Sequence, residues 1–113
     1  MTIKTQLRIA PPYAVAQSLK QLGQNLRVAR LRRNLTIEEV AEKIGSGVRQ
    51  VRDAEGGKAS TGIAAYAALL WVYGLLEPFD DLADPARDEE GLALAARKEK
   101  VRARKGGGLD NDF

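Results

Sequence analysis

TIEEVAEKIGSGVRQVRDAE, residues 36–55, reads as two short helices joined by a tight turn. Thr36 followed by Glu39 has the spacing of a capping box: the threonine oxygen takes a backbone N–H of the first turn, and the glutamate reaches back to the threonine amide. Leu35, just ahead of the cap, is placed to act as a hydrophobic staple. Val40, Ala41 and Ile44 recur at helical steps on the inner side, and Gly45 ends the helix where a positive φ favours glycine. Ser46-Gly47 forms the turn. The second helix is expected over Val48 to Glu55, with Val51 and Ala54 inward, Arg49 and Arg52 outward, and Gly56-Gly57 as its stop. Ala41 sits where the two helices cross, a position that needs a small side chain. Such a pair leaves the outer face of its second helix free, and the major groove of DNA admits a helix of that size.

The flanks continue the helical pattern. Residues 1–10 are polar with scattered apolar positions and are expected to be extended or loosely ordered, until Pro11-Pro12 interrupts the chain. Val15, Leu19, Leu22, Leu26 and Ala29 then mark one face of a helix from Tyr13 to Arg33, with a bend expected at Gly23 and a left-handed stop at Asn34. A fourth helix is expected over residues 62–73, with Ser60 and Thr61 as candidate caps. It is apolar nearly all round, from Ile63 to Tyr73, so it must be covered on more than one side; in so small a protein the second cover can come from another chain. Leu75, Leu76, Phe79 and Leu82 add a short apolar turn or helix. Ala83-Asp84-Pro85 marks the end of the folded domain.

The chain of 113 residues has room for one modest core plus tails. Its 44% hydrophobic and 29% charged residues are those of a soluble globular protein. With no cysteine and no histidine, disulfides, thiol chemistry, Cys/His zinc sites and a Ser-His-Asp arrangement are excluded. No nucleophile–base pair or phosphate loop is visible, so the chain is expected not to be an enzyme and to need no cofactor or metal. The carboxylates Asp80, Asp81, Asp84, Asp88, Glu89 and Glu90 lack the glycine and alternating spacing of a calcium loop. No secretory h-region or membrane-length apolar run is present, and a cytoplasmic location is expected. The net charge is only +3, but it is blocked: cations crowd Lys20 to Arg33, acids run from Glu77 to Glu90, and cations return from Arg97 to Lys105. The blocks read either as a DNA-facing domain, an acidic connector and a basic tail, or as solvated faces.

The segment LGQNLRVARLRRNLTIEEVAEKIGSGVRQVRDAEGGK, residues 22–58, resembles the Xre/Cro helix-turn-helix family, which includes the lambdoid phage repressors. The resemblance extends over residues 22–74. It implies an all-α, five-helix lambda-repressor-like DNA-binding domain, the fifth helix lying near Glu77 to Leu82, with flexible N- and C-terminal tails. The expected organisation is an N-terminal arm over 1–12, the helix-turn-helix domain over 13–82, and an acidic connector with a basic tail over 83–113. In this family a first-helix arginine pairs with a glutamate that ends the recognition helix, and Arg30 and Glu55 stand at those positions as a structural ion pair. The chain departs from the pattern at Ile37, where family members carry a phosphate-contacting glutamine. It departs again at Ser46, usually apolar, and at Gly47, usually Ser or Thr. A narrower resemblance lies in LADPARDEEGLALAARKEKVRARK, residues 82–105, within a segment from 61 that is similar to HipB-like antitoxins of HipA-type kinase toxins. It implies a homodimer that represses its own operon and sequesters a HipA-like kinase toxin.

On the second helix, Val48, Arg49, Arg52 and Asp53 match the positions that face base edges in the family. Arginine donates two hydrogen bonds to guanine O6 and N7. Asp53 can accept from cytosine N4 or can orient Arg49 or Arg52, and Val48 can touch a thymine methyl. Arg27, Thr36, Gln50 and Lys58 are expected on phosphates, which position without reading sequence. Leu69, Leu70, Trp71 and Tyr73 are expected at a dimer interface, since two recognition helices about 34–36 Å apart read a palindromic operator in double-stranded DNA. The basic tail reads as a minor-groove arm, a toxin-docking segment or a solvated end. Two rival functions stand beside the antitoxin: a phage-type repressor or restriction-modification controller without a toxin, and a protein-interaction module with the helix pair as scaffold.

Overall fold

The computed structural model describes residues 3–110, with side chains placed from 6 to 105. The chain divides into two compact units that part between Phe79 and Asp80. The first holds five α-helices: α1 (Ile3–Ile9), α2 (Tyr13–Arg32), α3 (Ile37–Ile44), α4 (Val48–Glu55) and α5 (Ile63–Val72). A 3-10 helix at Glu77–Asp81 crosses the boundary, and the second unit adds a 3-10 helix at Pro85–Arg87 and α6 (Glu89–Asp110). Among the described residues there is no strand. No described helix is long and apolar enough to cross a membrane.

The start of the chain differs from the extended arm expected of it. Residues 3–9 are helical although Leu7 and Ile9 stay exposed, so the helix follows from good helix formers such as Lys4, Gln6, Leu7 and Arg8 and not from burial. Pro11 and Pro12 then interrupt it, and Pro12 becomes the N-cap of α2.

In the first unit α2 packs on α4, α4 on α3 and α5, and α3 on α5. Their shared core is built from Leu26, Ala29, Val40, Ala41, Val51, Ala54, Tyr66, Leu69 and Tyr73. Gly23 is buried within α2, which runs without a break from Tyr13 to Arg32. A Cβ there would lie 2.5 Å from the carbonyl oxygen of Glu55 and 2.7 Å from the amide nitrogen of Gly57, so the glycine lets the end of α4 approach the α2 backbone directly. The fit is mutual, because a Cβ on Gly57 would lie 2.5 Å from the Leu19 carbonyl oxygen.

Four helix ends share one hydrogen-bond pattern. Asn34 (φ 55), Gly45 (φ 68), Gly57 (φ 67) and Gly74 (φ 73) each take the left-handed conformation. The residue after each returns its N–H to a carbonyl five positions back: Leu35 to Arg30, Ser46 to Ala41, Lys58 to Asp53, and Leu75 to Leu70. Each helix is thereby stopped and its last carbonyls are satisfied within a few residues. The start of α5 departs from expectation: its N-cap is Gly62, with no side-chain cap, in place of Ser60 or Thr61.

The second unit is organised by caps. Asp84 Oδ1 accepts from the Ala86 amide at 2.9 Å, and Asp88 Oδ1 accepts from the Gly91 amide at 2.9 Å at the start of α6. Carboxylates at helix starts satisfy orphan N–H groups and complement the helix dipole. The segment expected to be a flexible tail is helical from Glu89, yet no described residue after Phe79 is buried.

Candidate nucleic-acid interface

The helix pair is held at four points. Thr36 Oγ1 accepts from the Glu39 amide at 3.0 Å, and Glu39 Oε1 accepts from the Thr36 amide at 2.9 Å, closing the capping box of α3. These hydrogen bonds hold the Glu39 carboxyl below the usual glutamate range. Ile37, the next residue, is half-buried and packs against the core. The α3 start therefore carries an aliphatic contact where the family pattern has a phosphate donor.

Arg30 forms the second point. Its Nε donates to Glu55 Oε2 at 2.7 Å and Nη2 to Glu55 Oε1 at 3.1 Å, while Nη1 donates to the Leu35 carbonyl at 3.0 Å. One guanidinium thus ties the end of α2, the turn into α3 and the end of α4. The two side chains are 10% and 7% exposed, and the Glu55 hydrogen bond raises the Arg30 pKa above its ordinary value. The pair is structural, because both groups spend their hydrogen bonds inside the protein.

At the third point the Ser46 hydroxyl donates to Gln50 Oε1 across the first turn of α4. Ser46 therefore does not fill an apolar slot. Its hydroxyl braces a helix whose N-cap, Gly47, has no side chain to offer. The bond engages the Gln50 oxygen and leaves its two N–H donors for an outside acceptor. The fourth point is Tyr66, buried on α5, whose hydroxyl donates to the Lys58 carbonyl at 2.9 Å and anchors the segment after α4; burial pushes its pKa up.

With α4 so fixed, its two sides separate by charge. Val51 and Ala54 are fully buried, whereas Arg49, Gln50 and Arg52 are exposed, the Arg49 side chain at 88%. Val48 is half-buried against the core, so its share in any outside contact is reduced. Asp53 Oδ2 lies 3.9 Å from Arg49 Nε, and Asp53 Oδ1 lies 3.9 Å from Lys58 Nζ. The carboxylate biases both cations without forming a close hydrogen bond to either, and it pairs with Arg49, not Arg52. Exposed pairs of this kind contribute about 0–1 kcal/mol, so either cation exchanges this partner for a phosphate or a base at little cost. Arg27, Thr36 and Lys58 are exposed as well. The Thr36 oxygen is already committed to its cap, which leaves its O–H as the group that can donate outward.

Two features were not marked in the sequence. Ser60, Thr61 and Gly62 line a groove of about 350 Å³ with Gly47, Arg49, Gln50 and Asp53, so the segment after α4 forms a wall beside its first turn. Only the short run of small polar residues hinted at it. Arg33 donates to the Ala29 carbonyl at 2.8 Å and to the Tyr73 carbonyl at 3.0 Å, and its guanidinium lies 5.4 Å from the Tyr73 ring centre. It thereby closes the C-termini of α2 and α5, where a cation complements the helix dipole.

The expected dimer face is corrected by burial. Leu69 and Tyr73 lie in the core of their own chain, and Leu70 is half-buried against it. Burial also pushes the Tyr73 phenol up. Of the four, Trp71 alone is exposed, at 61%, and it shares the outer side of α5 with Ile63, at 69%. A helix apolar all round gives no angular signal, so only packing shows which half is spent internally.

A family model described as helix-turn-helix domain matches residues 21–82. No curated protein and no solved structure matches the chain. The matched region takes in most of α2, all of α3, α4 and α5, and more than half of the 113 residues. On the match and on this geometry, the chain belongs to the helix-turn-helix domain family.

Proposed function

We propose that the chain is a transcriptional repressor that binds double-stranded DNA as a homodimer and reads a palindromic operator with α4. The observation that carries the reading is the division of α4: Val51 and Ala54 lock one side into the core while Arg49 and Arg52 present forked donors on the other. Dimerisation follows from economy of contact, since one eight-residue helix spans only a few base pairs. The exposed Ile63 and Trp71 on α5 replace the core residues Leu69 and Tyr73 as its apolar anchors. Repression acts by occlusion of a promoter, and no catalytic step is assigned to the chain. The same site serves a phage-type repressor or a restriction-modification controller. The antitoxin role with a HipA-like kinase rests on the resemblance over 61–105 alone, and co-purification with such a kinase tests it.

The main test is selection of binding sites from random-sequence duplexes, followed by footprinting at stated salt. The expected product is a palindrome with half-sites about 34–36 Å apart. Arg49→Ala and Arg52→Ala are each expected to cost about 1–3 kcal/mol of preference at one base position while the fold is kept. Unchanged preference in both variants overturns the assignment of α4, and a single unpaired half-site overturns the dimer.

A further inference from the structure

Outside the helix-turn-helix, the strongest concentration of charge is the middle of α6. Residues 97–105, RKEKVRARK, hold six cations and one acid, and every one of the nine is exposed. Among the described residues none of the six cations lies within ion-pair distance of a carboxylate, that of Glu99 within the run included; upstream, Asp88 serves as a cap and Asp84 lies beside Arg87. Lys98 and Arg102, and Lys100 and Arg104, stand four residues apart on the helix, a spacing at which like charges oppose each other.

We infer that α6 is a second nucleic-acid contact, which binds the phosphate backbone of duplex DNA through Arg97, Lys98, Lys100, Arg102, Arg104 and Lys105. This rests on the DNA-binding reading of α4 and adds to it a contact that carries no sequence information. Linear charge density favours this partner. Eight residue steps of helix span about 12 Å. Duplex DNA carries one negative charge per about 1.7 Å of axis, or about seven over the same length, against six cations and a net charge of +5 here. A membrane surface fits poorly, because Leu94 and Val101 lie seven residues apart on one side of α6 and Leu92 on the other, with no apolar face between them. A protein partner fits poorly too, since residues 89–105 offer no aromatic anchor.

The test uses the full chain on a 30-base-pair duplex of mixed sequence, with affinity measured across a salt series. The variant Lys98→Gln/Arg102→Gln/Lys105→Gln keeps helix-forming residues at exposed positions, and circular dichroism verifies its helix content. Removing three phosphate contacts is expected to lower the slope of log affinity against log salt by about 2.7. The base preference read by Arg49 and Arg52 is expected to persist. Lys98, Lys100 and Lys105 are expected to lose reactivity toward an acetylating reagent when the duplex is added. Unchanged slope and unchanged lysine reactivity overturn the inference while leaving the α4 reading in place, and would point to an acidic protein as the partner. Failure of the full chain to bind any duplex at low salt overturns both.

Discussion

Residues 37–72 and residues 80–110 are both mainly helical, but they are helical for different reasons. In α3, α4 and α5 each helix commits a face to a common core, and Val40, Val51 and Leu69 have no solvent contact. In α6 no described residue is buried, and its support is local: the Asp88 cap, and alanine, leucine, lysine and arginine as good helix formers. The lesson is that helical content and fixed geometry are separate properties. Base edges can be read only from an element whose position is over-determined, as α4 is by Val51, Ala54 and Glu55. A cationic rod that meets phosphates needs charge and length, and it tolerates loose anchoring.

The largest effect is expected from Arg30→Ala. It leaves the Glu55 carboxylate buried without its partner, and a loss of about 3–5 kcal/mol is expected in denaturant unfolding. Replacing both partners, Arg30→Met with Glu55→Leu, is expected to recover most of that loss, because the pair's worth lies in mutual satisfaction more than in net attraction. A full-sized loss in the double variant would show that the bond to the Leu35 carbonyl, not the ion pair, holds the unit together.

A smaller effect is expected at the α3 cap. Thr36→Ala is expected to cost about 1 kcal/mol in the same measurement. Glu39 adds a pH signature: its carboxyl is depressed in the folded state, so its contribution is complete above the unfolded pKa and fades as pH falls through the folded one. Glu39→Gln is expected to flatten the acid limb of the stability curve, and an unchanged limb would place the capping energy elsewhere.

The smallest effect is expected in the second unit. Leu94→Ala removes an exposed side chain and is expected to change stability by less than about 0.5 kcal/mol. A loss near 2 kcal/mol would show that α6 has an apolar partner and would remove the contrast between the units.

The capping box at Thr36 and Glu39 and the stops at Asn34, Gly45 and Gly57 were legible in the chain because each is made by residues within a few positions of one another. The Arg30–Glu55 pair was legible only through family resemblance, since 25 residues separate its members. Other assignments needed the folded chain. The close contact at Gly23 was invisible in the chain, because what meets it comes from residues 54–57. Asp53 was open between a base contact and the orienting of Arg49 or Arg52, and the folded chain places its carboxylate 3.9 Å from Arg49 and from Lys58.

The sequence by itself determined the all-α class, the span and order of α3 and α4, and the outward position of Arg49 and Arg52. Helix period, cap chemistry and turn residues act over distances shorter than the elements they define. Tertiary structure alone decided which side of α5 is spent on its own core and why α2 carries a glycine. Those depend on which surfaces meet across the core, and no local pattern of residues encodes that meeting.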